Sequence, residues 1–151
     1  MLIEETGGTR WTLRFGPNRY DLEFAGGELR NTYFGPDFAG DVIVVPDHHQ
    51  NFDQLRATRP EAGVYLGSNR DRVFWDSVAA EVTEGRLRLT AVSSALRCVA
   101  DFHIDDATAS LRRCTTITAM GDGEVLVTGA LSFSPASASS SSKPNPTPSR
   151  R

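Results

Sequence analysis

Two adjacent histidines, His48 and His49, stand beside Asp47 and Asp53, and imidazole with carboxylate is a donor set that divalent metals accept. A metal site needs three or four donors converging on one point. Neighbouring residues of an extended chain point apart, and the remaining histidine, His103, belongs to a distant segment. The spacing predicts solvated loop histidines and no metal centre. Asp105 and Asp106 are adjacent carboxylates, but they fall at a hairpin tip, where hydration leaves nothing to separate their pKa values into an acid and a base. Ser93 and Ser94 follow a strand with no base nearby in sequence, so they read as turn or edge residues. No Gly-x-Ser-x-Gly elbow, phosphate loop, dinucleotide fingerprint or His-Glu-x-x-His helix occurs, and no cofactor is expected.

Aromatic rings are the class that fits a ligand, because a flat ring in a β-sheet cleft stacks on a sugar. Trp11, Tyr20, Tyr33, Tyr65 and Trp75 are the candidates. Trp11 and Tyr20 lie in strand alternation and read as core. Tyr65 and Trp75 flank Gly67, Ser68, Asn69 and Arg70 just past a long loop, and an exposed binding role is expected of these two.

The elements that must position such residues are strands. Trp11, Leu13 and Phe15 alternate with Thr12 and Arg14, Gly16-Pro17-Asn18 makes a turn, and Tyr20, Leu22 and Phe24 form one face of the next strand. Gly26-Gly27 then leads into Leu29 to Phe34. Val42 to Val45 reads as a short strand ended by Pro46, and Asp47 to Gly63 has no sustained period, as a long functional or covered loop would. Phe74, Trp75 and Val78 begin a new run, and the Glu84-Gly85 turn precedes Leu87 and Leu89. Three strands follow, Leu96 to Ile104, Thr108 to Met120 and Val125 to Phe133, joined at Asp105-Asp106 and Gly121-Asp122-Gly123. Helical periodicity is missing, so the fold class is all-β, an antiparallel β-sandwich.

At 151 residues, 39% apolar and 23% charged, the chain has the composition of one globular domain. A net charge of -3 offers no basic field, so nucleic acid is not an expected partner. No apolar run approaches the roughly 20 residues that cross a bilayer, and the first residues lack the charged and apolar regions of a signal, so no membrane association and a cytoplasmic location are expected. Cys98 and Cys114 flank the predicted hairpin. Pairing Phe102 with Leu111 and Ile104 with Ala109 sets Cys98 opposite Thr115 and turns Cys114 to the other surface, whereas Cys98 opposite Cys114 would set Phe102 against Ser110 and waste burial. Reduced core thiols are expected. After Ser134 the composition shifts to Ser, Pro and Ala, which divides the chain into a domain over 1–134 and a disordered tail over 135–151.

Four stretches carry a family likeness: Gly27 to Gly35; Val45-Pro46-Asp47 with Asn51 to Leu55; Pro60 to Gly67; and Leu111-Arg112-Arg113 through Ile117 to Asp122, with Ala130-Leu131-Ser132. Together they resemble the N-terminal domain of family 36 glycoside hydrolases of the α-galactosidase type, over most of Asp21 to Ser134. Leu66 interrupts the family's Tyr-Gly step, and Ala119 stands where the family has Asn. The resemblance implies a galactose-mutarotase-like supersandwich, incomplete here, and a non-catalytic role beside a later (β/α)8 barrel that bears the two carboxylates of a retaining glycosidase. It also implies support of a homo-oligomer and contact with a galactoside, with Asp47 at the position of the family's loop aspartate; His48 departs from the small polar residue that follows it there. The alternative is a stand-alone β-sandwich module in which Asp47, Tyr65 and Trp75 hold a carbohydrate.

A Ser/Pro tail contributes no buried area, so deleting residues 135–151 is expected to leave the thermal unfolding midpoint unchanged. A marked fall, read by circular dichroism, would place the domain boundary elsewhere.

Overall fold

The computed structural model describes residues 2–37, 59–60, 62–69, 71–121 and 125–132. The predicted strand at Val42 to Val45, Asp47 with the two histidines, most of the long loop and the tail lie outside the described residues. Among the described residues there is no helix, and every strand pairing is antiparallel. The all-β expectation holds.

Strands β1 (Leu2–Thr6), β2 (Arg10–Phe15), β3 (Asn18–Ala25), β4 (Glu28–Pro36) and β5 (Arg59–Pro60) form a five-stranded meander in that order. Strands β8 (Ser77–Thr83), β9 (Arg86–Val92), β10 (Leu96–Asp105) and β11 (Ser110–Ala119) form a second meander of four, and β6 (Ala62–Leu66), β7 (Asp71–Arg72) and β12 (Val127–Ser132) form a third sheet in the order β12-β6-β7. β1 carries no sequence signal beyond its inward Ile3, because Glu4 and Glu5 break its apolar rhythm.

Alternation converts directly into layers. Trp11, Leu13 and Phe15 of β2, Tyr20 and Leu22 of β3 and Leu29 of β4 are all buried, and they meet Leu87, Leu89, Ala100, Phe102 and Ile104 of the four-stranded sheet in one core. The rings of Tyr20 and Phe102 touch across the layers, 5.9 Å between centroids. A second core forms where Val64 of β6 and Trp75 cover the other ends of β9 and β10 at Ala91, Leu96 and Cys98. Phe24 packs against both cores. Each such side chain contributes about 1.5–3 kcal/mol on leaving water, which makes this shared surface the main stabilising element.

Turn chemistry sets the registers. Gly26 and Gly27 both have positive φ, 59° and 75°, as a tight two-residue hairpin between Ala25 and Glu28 requires. The β3–β4 ladder slips between Asp21 and Leu22, and Asn31 repairs it: its side-chain amide donates to the carbonyls of Asp21 (3.1 Å) and Tyr33 (2.9 Å).

The β10–β11 hairpin corrects the expected register. Phe102 pairs with Arg113, Ile104 with Leu111 and Cys98 with Ile117, two residues from the alignment that sequence favours. The cause is the loop. Asp105 Oδ1 accepts the N–H groups of Ala107 (3.0 Å) and Thr108 (3.4 Å), and Ala109 adopts φ 49°, so Ser110 rather than Ala109 begins the returning strand. A two-residue slip preserves which face each side chain takes. Cys98 is therefore buried and Cys114 exposed, and neither forms a disulfide; only Cys98 is a core thiol.

The tip of the β2–β3 hairpin abuts this loop. Gly16 has φ +52°, and a Cβ there would lie 2.5 Å from the Ala109 Cβ. Gly16→Ala is expected to lower stability by about 1–3 kcal/mol, from the clash and the left-handed backbone together. Ala109→Gly relieves a left-handed alanine and is expected to raise stability by up to about 1 kcal/mol after the added freedom of the unfolded chain is subtracted. Urea midpoints of the two single variants and the double variant check both signs.

Candidate functional site

The Gly26-Gly27 turn delivers Glu28 to the seam between the five-stranded and three-stranded sheets. Residues 72–75 cross that turn closely: the Trp75 N–H donates to the Gly27 carbonyl at 2.7 Å. A Cβ on Gly27 would sit 3.2 Å from both Phe74 Cβ and the Trp75 carbonyl oxygen, so only glycine fits without displacement. Glu28 Oε2 accepts from Arg30 Nε at 2.8 Å and also from Arg30 Nη2, while Oε1 is ion-paired with Arg72 Nη2. Arg72 comes from β7, so one carboxylate ties two sheets together. Its two guanidiniums cover it, leaving 11% of the Glu28 side chain exposed. An unpaired charge at that depth would cost several kcal/mol.

The chain then leaves Phe74 outside. Phe74 is 56% exposed, with the Arg72 guanidinium carbon 5.8 Å from its ring centroid, near the outer limit of a cation–π contact. An exposed flat ring beside a partly exposed guanidinium is the arrangement that can stack on an apolar face and donate to oxygens at its rim. The Glu28 carboxylate, committed to both arginines, serves to orient Arg72.

Sequence places the binding role on Asp47, Tyr65 and Trp75, and the structure separates Tyr65 from Trp75. Trp75 is 3% exposed and packs with Val64, Ala91, Leu96 and Cys98. The expectation of an exposed Trp75 is thus corrected: the Trp75 and Asp76 N–H groups bond to Gly27 and Val92, which turns the indole inward and its neighbour Phe74 outward. Tyr65 is half-buried and alternates with Val64 and Leu66, both of which face the core, so it lies on the outer side of the three-stranded sheet from Trp75. Asp47 lies outside the described residues. Sequence reasoning passed over Glu28, Arg72 and Phe74. Glu28 and Arg30 share a face by strand period, but Arg72 lies over forty positions away with no local signal to join them.

Other groups singled out for chemistry are structural. The Asp105 carboxylate is held below the ordinary aspartate range, first by Thr108, as a turn former accepting two N–H groups would be. Ser93 Oγ accepts the Leu96 N–H at 3.1 Å and lies 3.3 Å from its carbonyl, closing the β9–β10 turn. His103 is exposed on β10, and no group of three potential metal ligands occurs among the described residues.

Two charged sheet faces complete the surface. On the outer side of the four-stranded sheet Asp101 bridges Arg86 (2.6 Å to each oxygen) and Arg88 (2.8 Å). Hydrogen bonding from Arg86, then Arg88, holds the Asp101 carboxyl down at about 2. On the outer side of the five-stranded sheet Arg14 pairs with Glu4 and Asp37, and Arg19 lies 3.1 Å from Asp21 and 4.8 Å over the Tyr33 ring. Burial pushes the Asp21 carboxyl up despite Thr12 and Arg19.

No family model, curated protein or solved structure matches the chain.

The two aspartates should respond oppositely to neutralisation. Asp101 has a folded value below the ordinary 3.8, so its stabilisation is present above that value and is lost as pH falls through about 2. Asp101→Asn is expected to cost about 1 kcal/mol at pH 7, since its arginines are 44% and 40% exposed and solvent screens them. Asp21 is raised instead, so its charge opposes folding at pH 7 and the penalty is relieved as pH falls through the folded value. Asp21→Asn is expected to be neutral or stabilising. Denaturant titrations at pH 7 and pH 3 read both effects, and equal losses for the two variants would contradict the assignment.

Proposed function

We propose that the chain is a non-catalytic, all-β accessory domain of the kind that precedes the catalytic barrel in family 36, α-galactosidase-type glycoside hydrolases, and that it contacts a galactoside. The observation that carries the reading is the exposed Phe74 ring beside Arg72, itself braced by Glu28 and Arg30. The apolar face of a galactose ring stacks on an aromatic of this kind, and guanidinium N–H groups donate to its hydroxyls. The family-like stretch Gly27 to Gly35 builds one side of this seam, as the turn and β4. Asp47, and a barrel or a second copy packed beside it, belong to the same proposal. A stand-alone carbohydrate-binding module would use the same seam without a barrel.

Titration of methyl α-galactoside into the labelled protein, followed by amide shifts, is expected to perturb Phe74, Arg72 and Tyr65, and Phe74→Ala is expected to abolish the response with the fold intact. Aryl α-galactoside is expected to remain unhydrolysed by the purified chain. In a fusion to a family barrel, Asp47→Ala is expected to raise KM selectively. Absence of any galactoside shift together with an unchanged KM would remove the sugar from the proposal; hydrolysis by the chain alone, lost with one Asp or Glu substitution, would overturn its non-catalytic part.

A further inference from the structure

The long edge strands of the two larger meanders differ in how they are guarded. β1 carries Glu4 and Glu5 on its short run, and β11 carries Arg112 and an inward-pointing Arg113, on the same face as its partner Phe102. Charges at an edge, above all inward-pointing ones, are devices that discourage another strand from pairing. β8 lacks them. Its seven residues, Ser-Val-Ala-Ala-Glu-Val-Thr, hold one charge, Glu81, which faces outward opposite Arg88 of its own sheet.

The core-side residues of β8 are Val78, Ala80 and Val82, since they pair with Ala91, Leu89 and Leu87. Val82 is nevertheless 42% exposed, so the apolar face of the four-stranded sheet runs on past what the other layers cover. The hydrogen-bonding sense of the edge follows from the neighbouring ladder. Ser93 N–H bonds to the Leu96 carbonyl and Ile104 N–H to the Gly85 carbonyl, so odd residues of β9 bond to β10 and even residues bond to β8. Their partners on β8 are Ser77, Ala79, Glu81 and Thr83. The N–H and C=O groups of Val78, Ala80 and Val82 therefore point to the edge of the sheet, which no strand among the described residues pairs with.

We infer that β8 pairs with β8 of a second copy of this chain, antiparallel about a two-fold axis through Ala80, joining two four-stranded sheets into one. The occupant is a second copy because the strand is self-complementary in this register. Val78 stands opposite Val82 twice, Ala79 opposite Glu81 twice, and Ser77 opposite Thr83 twice, with like charges nowhere directly opposed. The other registers are poorer: centring on Glu81 opposes it to itself, centring on Ala79 sets Val82 against Asp76, centring on Val78 or Val82 pairs only three residues of each β8, and any one-residue slip places core-side residues opposite outer ones. Each Glu81 keeps its own Arg88 beside it, and each exposed Val82 is covered by the partner's Val78. The inference is independent of the galactoside reading.

Light scattering after size exclusion, from micromolar to millimolar chain, is expected to give the mass of two chains at the upper concentrations. The Ala80 N–H takes no part in the β8–β9 ladder, so Ala80→Pro is expected to give a monomer with an unchanged β-sheet spectrum. Val82→Lys, at a position the fold leaves exposed, is expected to do the same and serves if the proline variant fails to fold. In a Cys114→Ser background, Ala80→Cys is expected to cross-link to a dimer under mild oxidation, because the pair at the axis lies within disulfide reach, whereas Val78→Cys is not. A wild-type mass of one chain throughout, a dimer that survives Val82→Lys, or cross-linking at Val78→Cys in place of Ala80→Cys would each overturn the inference.

Discussion

The inward side chains of β9 and β10, Leu87, Leu89 and Ala91 with Leu96, Cys98, Ala100, Phe102 and Ile104, form one continuous apolar surface that two other sheets share. The five-stranded meander covers the end at Leu87 and Phe102. The three-stranded sheet and Trp75 cover the end at Ala91 and Cys98. Neither covering sheet buries its own apolar face without this surface, so formation of the β9–β10 hairpin is the condition for both cores. Two-stranded ribbons alone are marginal in water, which makes docking of the layers and closure of that hairpin mutually dependent.

Because two sheets cover a third side by side, a seam runs between them, and polar groups collect there. Glu28 answers this constraint. Placed at the start of β4 by a two-glycine turn, it holds Arg30 from its own strand and Arg72 from the neighbouring sheet. The same contact sets the path of residues 72–75, which buries Trp75 and exposes Phe74. The ring proposed for recognition and the structural clamp of the seam thus belong to one group of side chains. Changing Glu28 would alter both, which is why the aromatic is the cleaner position at which to separate binding from stability.

The four-stranded sheet is used unevenly across its width. Its central strands are buried on one face and carry the Asp101–arginine network on the other, whereas β8 reaches beyond the covering layers and leaves Val82 in water. A sheet wider than its cover needs either charged edges or a partner; β11 shows the first solution, and the second is the one proposed for β8.

Alternation by itself determined the all-β class and placed β2, β3, β4, β9, β10 and β11 close to their observed bounds, because a period of two needs no partner to be legible. Turn residues were equally local: Gly26-Gly27 and Glu84-Gly85 stand where sequence sets them. The side of the sheet to which Cys98 and Cys114 belong was legible too, since a register error of two residues leaves parity intact. Only the tertiary structure decided the register itself, which depends on Asp105 accepting two N–H groups and on Ala109 entering the left-handed region. β1, diluted by acidic residues, became a strand through pairing with β2. In the candidate site, Tyr65 was legible as an aromatic past a loop, but Phe74 and Trp75 stand side by side in a segment without period. The Trp75–Gly27 and Asp76–Val92 backbone bonds decide which ring faces the core, and those contacts span sequence distances over which no local pattern operates.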